Sequence, residues 1–181
     1  MNIYKVLSTI IWNKAHLNNY ISSKKQFYIT ERDKSAKCKK VYLCNLDEKK
    51  LFAFKLDIKD RKKISNYFEN GMNLDKGNDA IIFTEIDNQK YIFICELKDG
   101  GKNFINQFKS SKSFVEYLLA ILRNFYNIKI ELKDFKIIFI LFSKGVNMST
   151  TKGKYIPIKK DNLLIYKVPC TKSYFYIQSF I

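Results

Sequence analysis

Asp79, Glu96 and Lys98 fall within one stretch of 23 residues, KGNDAIIFTEIDNQKYIFICELK, spanning positions 76–98. Two acids and a lysine suit phosphodiester cleavage. That reaction needs a divalent cation to neutralise the phosphate and activate a water, carboxylates that hold the cation and leave coordination sites open, and a cationic group that positions the water or takes up charge. Mg²⁺ binds hard oxygen ligands and keeps several waters, so Asp79, one oxygen of Glu96 and the backbone carbonyl of Leu97 would suffice, with Mn²⁺ able to substitute. A structural reading of the same residues makes Asp79 and Lys98 a cross-strand ion pair at a sheet edge, worth under ~1 kcal/mol if exposed.

The elements around these residues decide whether they can meet. Ala80 to Thr84 and Tyr91 to Leu97 are β-branched, aromatic and apolar runs, and Asp87-Asn88 between them reads as a two-residue hairpin turn. Pairing Ile86 with Gln89 sets a register that carries Asp79 opposite Glu96. Side chains alternate along a strand, so Glu96 and Lys98 share a face. Asp99-Gly100-Gly101 then breaks the strand, and a long helix is expected from Asn103 to about Tyr126. Its stripe is Phe104, Phe108, Ser111, Val115, Leu118, Leu122 and Phe125, broadened by Ile105, Leu119 and Ile121, which should cover one sheet face. Gln107 lies on an adjacent stripe and can look toward the strand end that carries Glu96. Lys136 to Ser143 is a continuous apolar run of the kind found in strands buried on both faces, expected to lie parallel to the Glu96 strand through a right-handed crossover.

Upstream, Asp60 to Asn70 has the pattern of a short helix stopped by Gly71, with Glu69 near its C-terminal end. The helix dipole does not favour a carboxylate there, and either a nearby cation or plain solvent exposure accounts for it. Residues 2–21 place Ile3, Val6, Ile10, Leu17 and Ile21 at helical spacing and predict an amphipathic packing helix, with His16 as a surface or interface residue. From Gln26 to Asp57 the pattern is strand-like: QFYIT, then KVYLCNL and KLFAFKLD around a polar segment, read as a hairpin extending the sheet. ERDKSAKCKK is a basic loop suited either to phosphates or simply to water. NLLIYKVP gives a further strand near the C-terminus.

The 181 residues suit one domain with a sizeable core, since 46% of them are hydrophobic. An excess of 33 basic over 17 acidic side chains, a formal net charge of +16, points to a polyanionic partner or a strongly solvated surface. Cys38, Cys44, Cys95 and Cys170 show no C-x-x-C spacing, and His16 is the single histidine, which argues against a structural zinc. Reduced thiols and a cytoplasmic location are the expectation, with Cys95 a buried thiol. No segment is long enough to span a bilayer and no cleavable signal is evident.

Asp79 followed by Glu96-Leu97-Lys98 resembles the PD-(D/E)XK nuclease superfamily, whose pattern is an acid at the start of one strand and Glu-x-Lys on its antiparallel neighbour. The resemblance covers roughly residues 60–143 and extends to the element order, an αβββαβ core with a central mixed sheet flanked by helices. It implies an α/β (α+β), restriction-endonuclease-like fold. Gln107 matches a glutamine many relatives carry on the following helix, Glu69 is the candidate for a glutamate on the preceding one, and Asn78 replaces the proline that often precedes the first acid. The implied function is a Mg²⁺-dependent nuclease acting on DNA, RNA not being excluded, of the kind found in small restriction or defence endonucleases, working as a homodimer or in a larger complex. The alternative is a nucleic-acid-binding or partner-binding module on the same fold that no longer uses the acids for catalysis.

Overall fold

The computed structural model describes residues 2–31, 35–56, 58, 77–98, 104–146 and 149–181. The expected helix over Asp60 to Asn70, and Glu69 with it, lie outside the described residues. The fold is α+β. In chain order the elements are α1 (Ile3–Ile10), β1 (Tyr20–Ile21), β2 (Gln26–Thr30), β3 (Lys40–Cys44), β4 (Leu51–Phe54), β5 (Ala80–Ile86), β6 (Gln89–Lys98), α2 (Phe104–Tyr126), β7 (Phe135–Ser143), β8 (Thr150–Thr151), β9 (Lys154–Tyr155), β10 (Ile158–Lys160), β11 (Leu163–Pro169) and β12 (Tyr174–Tyr176).

A six-stranded mixed sheet, ordered β10-β11-β7-β6-β5-β4, is the centre of the molecule. β5 and β6 form an antiparallel hairpin in which Ile86 pairs with Gln89 and Ala80 with Cys95. Asp87 and Asn88 both take positive φ, 49° and 63°, the geometry a tight two-residue hairpin turn requires and that Asp and Asn tolerate. β7 runs parallel to β6, placing Glu96 beside Leu141 and Lys98 beside Ser143. β11 continues the parallel set, and β4 is antiparallel to β5.

One core lies between this sheet and the helices, where Ile81, Phe83, Ile92, Ile94 and Phe139 meet Phe108, Val115, Leu118 and Leu122 of α2 and Leu7 of α1. A second core lies on the other face, where Ile82, Phe93, Cys95 and Phe142 meet Phe27, Leu43, Phe175 and Phe180. Burial on both faces explains why β5, β6 and β7 read as nearly continuous apolar runs. A four-stranded sheet, β1-β2-β3-β12, covers that second core.

Four expectations are corrected. The N-terminal helix ends at Ile10 rather than reaching Ile21, because Ile11 turns extended and residues 15–17 pair alongside β4, with Leu17 N donating to Ala53 O at 2.9 Å and Lys55 N to Ala15 O at 3.0 Å. Sheet pairing wins over helical periodicity there. β3 and β4 are not a hairpin: β3 pairs with β2, and β4 with β5 in the other sheet. The connection crosses between sheets through Asn45, which takes positive φ, and buried Leu46, both strands sharing the second core. In α2, Phe125 is 78% exposed, and Ile130 and Phe135 close that end of the core instead. Finally, Cys38 and Cys170 form a disulfide, so only Cys44 and Cys95 are free thiols, both buried. Among the described residues no helix is long and apolar enough to cross a membrane.

Candidate active site

The backbone ladder between β5 and β6 ends at Ala80 and Cys95, and the chain bends at Asp79. The Asp79 carboxylate makes the next contact itself. Its Oδ2 accepts the Leu97 N–H at 2.7 Å. The N–H and C=O of one strand residue point to the same neighbour, so the Leu97 carbonyl opens on the same side as Asp79. The bend also turns buried Asn78 inward, where Nδ2 donates to Glu96 Oε2 at 2.9 Å.

Glu96 and Lys98 lie on the α2 face of β6. The Glu96 side chain is only 6% exposed, and a carboxylate so buried needs partners to stay ionised; besides Asn78, Lys98 Nζ lies 3.7 Å from its Oε1. Lys98 Nζ donates to Gln107 Oε1 at 2.5 Å, and Gln107 Nε2 donates to Gly77 O at 3.3 Å. Gln107, in the first turn of α2, therefore links the lysine to the bend before Asp79. Lys98 keeps 28% of its side chain exposed against 6% for Glu96, so it is the more solvent-accessible member of the pair.

The structure thus brings Asp79, Glu96, Leu97, Lys98 and Gln107 together at the C-terminal end of β6. Asn78 is the member that reading the chain missed. Its pattern offers no signal beyond adjacency to Asp79; what aims it is the bend, held in part by Leu56 N donating to Asn78 O at 3.3 Å from beyond β4.

Among the described residues no three His, Cys, Asp or Glu side chains gather into a metal-holding group. A cation here would rest on two carboxylates, the Leu97 carbonyl and water. That donor set suits a hard cation that retains its hydration, such as Mg²⁺. Asn78 Oδ1 is buried with no hydrogen-bond partner among the described residues, and such an oxygen beside Glu96 is a group that a water in the site would satisfy.

Cys95 lies next to the acids on the opposite face of β6. Complete burial, reinforced by the charges of Asp79 and Glu96, pushes its thiol well above the ordinary value of 9.0. A pKa raised on folding contributes stability that is complete below the unfolded value and lost as pH climbs toward the folded one. Denaturant midpoints are therefore expected to fall above about pH 9, and Cys95→Ala should flatten part of that slope. An identical slope in the variant would remove Cys95 as a source.

Comparison with protein-family models, curated proteins and solved structures yields no match. The functional reading therefore rests on the residues and their geometry.

Proposed function

We propose that the chain is a divalent-cation-dependent nuclease that hydrolyses phosphodiester bonds in DNA on a restriction-endonuclease-like core. The observation that carries this reading is the convergence of three separate segments, 77–79, 96–98 and Gln107, on one strand end, with both acids and the lysine fixed by hydrogen bonds. The order β4-β5-β6-α2-β7, antiparallel through β6 and then parallel after the helix, supports the PD-(D/E)XK resemblance, with the first of its three antiparallel strands supplied by β4 at Leu51–Phe54, upstream of the 60–143 range expected from the sequence.

Asp79, Glu96 and the Leu97 carbonyl would hold Mg²⁺ or Mn²⁺, which supplies Lewis-acid neutralisation of the phosphate and a more acidic water. The residues of the chain do the rest. Glu96, held by Asn78, keeps its carboxylate in one rotamer. Lys98, held by Gln107, presents an ammonium where charge builds on the phosphate or where the attacking water must be oriented. The net charge of +16 draws a polyanion to the molecule. Because one site cuts one strand, duplex cleavage would call for a second copy or a second binding event.

Incubation with duplex DNA, single-stranded DNA and RNA, in Mg²⁺, Mn²⁺ or EDTA, tests the proposal. Cleavage of DNA that needs the cation and stops in EDTA is expected. Cleavage that survives EDTA would overturn the mechanism, and salt-sensitive binding without any cleavage would assign the chain to a non-catalytic binding module instead.

A further inference from the structure

The outward face of the four-stranded sheet carries a row of aromatic side chains that the site at Glu96 does not use. Tyr28 on β2, Tyr42 on β3 and Tyr174 on β12 are cross-strand partners in register. Their inward neighbours Phe27, Leu43 and Phe175 fill the second core, so the tyrosines point away from it. Tyr42 and Tyr174 stack at 4.8 Å with 17° between planes, and Tyr28 joins Tyr42 at 6.0 Å in a tilted arrangement. Lys40 lies over this row, its Nζ 4.0 Å from the Tyr28 ring centroid and 4.9 Å from that of Tyr42.

The stack reaches the edge of the sheet at Tyr174. Among the described residues β12 is the edge strand of that sheet, and Tyr174 on it is 50% exposed. Tyr176, two residues along on the same side, is 59% exposed. Positions i and i+2 of a strand are about 6.7 Å apart, leaving room for a flat ring against each. The outward side chains of β2, β3 and β12 are Gln26, Tyr28, Thr30, Lys40, Tyr42, Cys44, Tyr174 and Tyr176, with no carboxylate among them.

We propose that this face is a stacking platform for single-stranded nucleic acid, with one base continuing the Tyr42–Tyr174 stack, a second resting on Tyr176, and Lys40 facing the phosphates. Flat π-faces joined to a cationic surface are what sequence-tolerant single-strand binding uses. The absence of acids among the described outward residues of β2, β3 and β12 and the basic excess of the chain favour a polyanion over a peptide as occupant. The platform does not depend on the nuclease reading, since its residues belong to the other sheet.

Binding of labelled oligo-dT and oligo-rU to the full chain, measured in EDTA so that cation-dependent cleavage cannot contribute, is the test. Tyr174→Leu keeps apolar bulk but removes the π-face and is expected to weaken binding roughly tenfold, with Tyr174→Leu/Tyr176→Leu near 100-fold, while Tyr174→Phe stays within about twofold of the parent. The slope of affinity against salt should be the same in all of them, because no lysine changes. The two oligomers separate DNA from RNA as the source of the bases. Failure of the parent chain to bind either oligomer, unchanged affinity in the double leucine variant, or a loss in Tyr174→Phe equal to that in Tyr174→Leu would each overturn the platform. Both positions are exposed, so thermal midpoints should hold; if the leucine variants lose stability, the comparison of Tyr174→Phe with Tyr174→Trp decides, a stacking role requiring both to bind as well as the parent.

Discussion

Glu96→Gln is expected to lower DNA cleavage by about 10³-fold or more while leaving the thermal midpoint unchanged or higher. The substitution keeps the size of the side chain and an oxygen able to accept the Asn78 amide hydrogen bond, but removes a negative charge whose side chain is only 6% exposed. Burying a carboxylate costs free energy that its partners offset only in part, so neutralising it need not destabilise the fold. Its loss should therefore appear in function. A merely structural Glu96–Lys98 pair predicts the reverse, a lowered midpoint and no cleavage to lose. Lys98→Met should lower cleavage by roughly 10²–10³-fold, the range for removing one charge-stabilising donor. Gln107→Ala should do less, because Gln107 acts by holding Lys98 rather than by meeting the phosphate.

Removing the Cys38–Cys170 disulfide, by reduction or by Cys38→Ser with Cys170→Ser, is expected to cost about 3–5 kcal/mol. The two cysteines are 132 residues apart, so the bond closes a long loop and restricts the unfolded chain accordingly. For a domain of this size the loss corresponds to a fall of about 10 °C in thermal midpoint. The effect should reach the site as well. Cys38 Sγ lies 3.8 Å from the Lys98 carbonyl oxygen, a contact and not a hydrogen bond because a disulfide sulfur has no proton, and Cys170 N donates to Ser143 O at 3.1 Å, next to Lys98 across the sheet. Thiol titration of the unfolded, unreduced chain should count two free thiols. Four, with a midpoint indifferent to reductant, would contradict the bond. Disulfides are rare in reducing compartments, so the expectation of a cytoplasmic setting loses the thiol argument on which it rested.

What could be read from the chain was what its local order determines. The hairpin register followed from Asp87-Asn88 and two apolar runs, because a two-residue turn fixes which residues pair. The α2 stripe was legible through Leu122 from its period, and β7 from an unbroken apolar run too short for a helix. Features that depend on distant partners were not. β3 and β4 look like a hairpin because two strand-like runs flank a short polar segment, and only the second core sends them to different sheets. The Cys38–Cys170 bond and the row of Tyr28, Tyr42 and Tyr174 join positions far apart, with no local signature. At the site, the acids and lysine were visible as residue types, but Asn78 looked like a neutral replacement until the bend at Asp79 turned it onto Glu96.

The most direct measurement is a crystal structure of the chain soaked in Mn²⁺, read by its anomalous signal. A cation bounded by Asp79, Glu96 and the Leu97 carbonyl is expected, with Lys98 still held by Gln107, and its peak should be lost in Glu96→Gln. A chain that cleaves DNA in Mn²⁺ yet binds the ion elsewhere, or retains the same peak in Glu96→Gln, would contradict it.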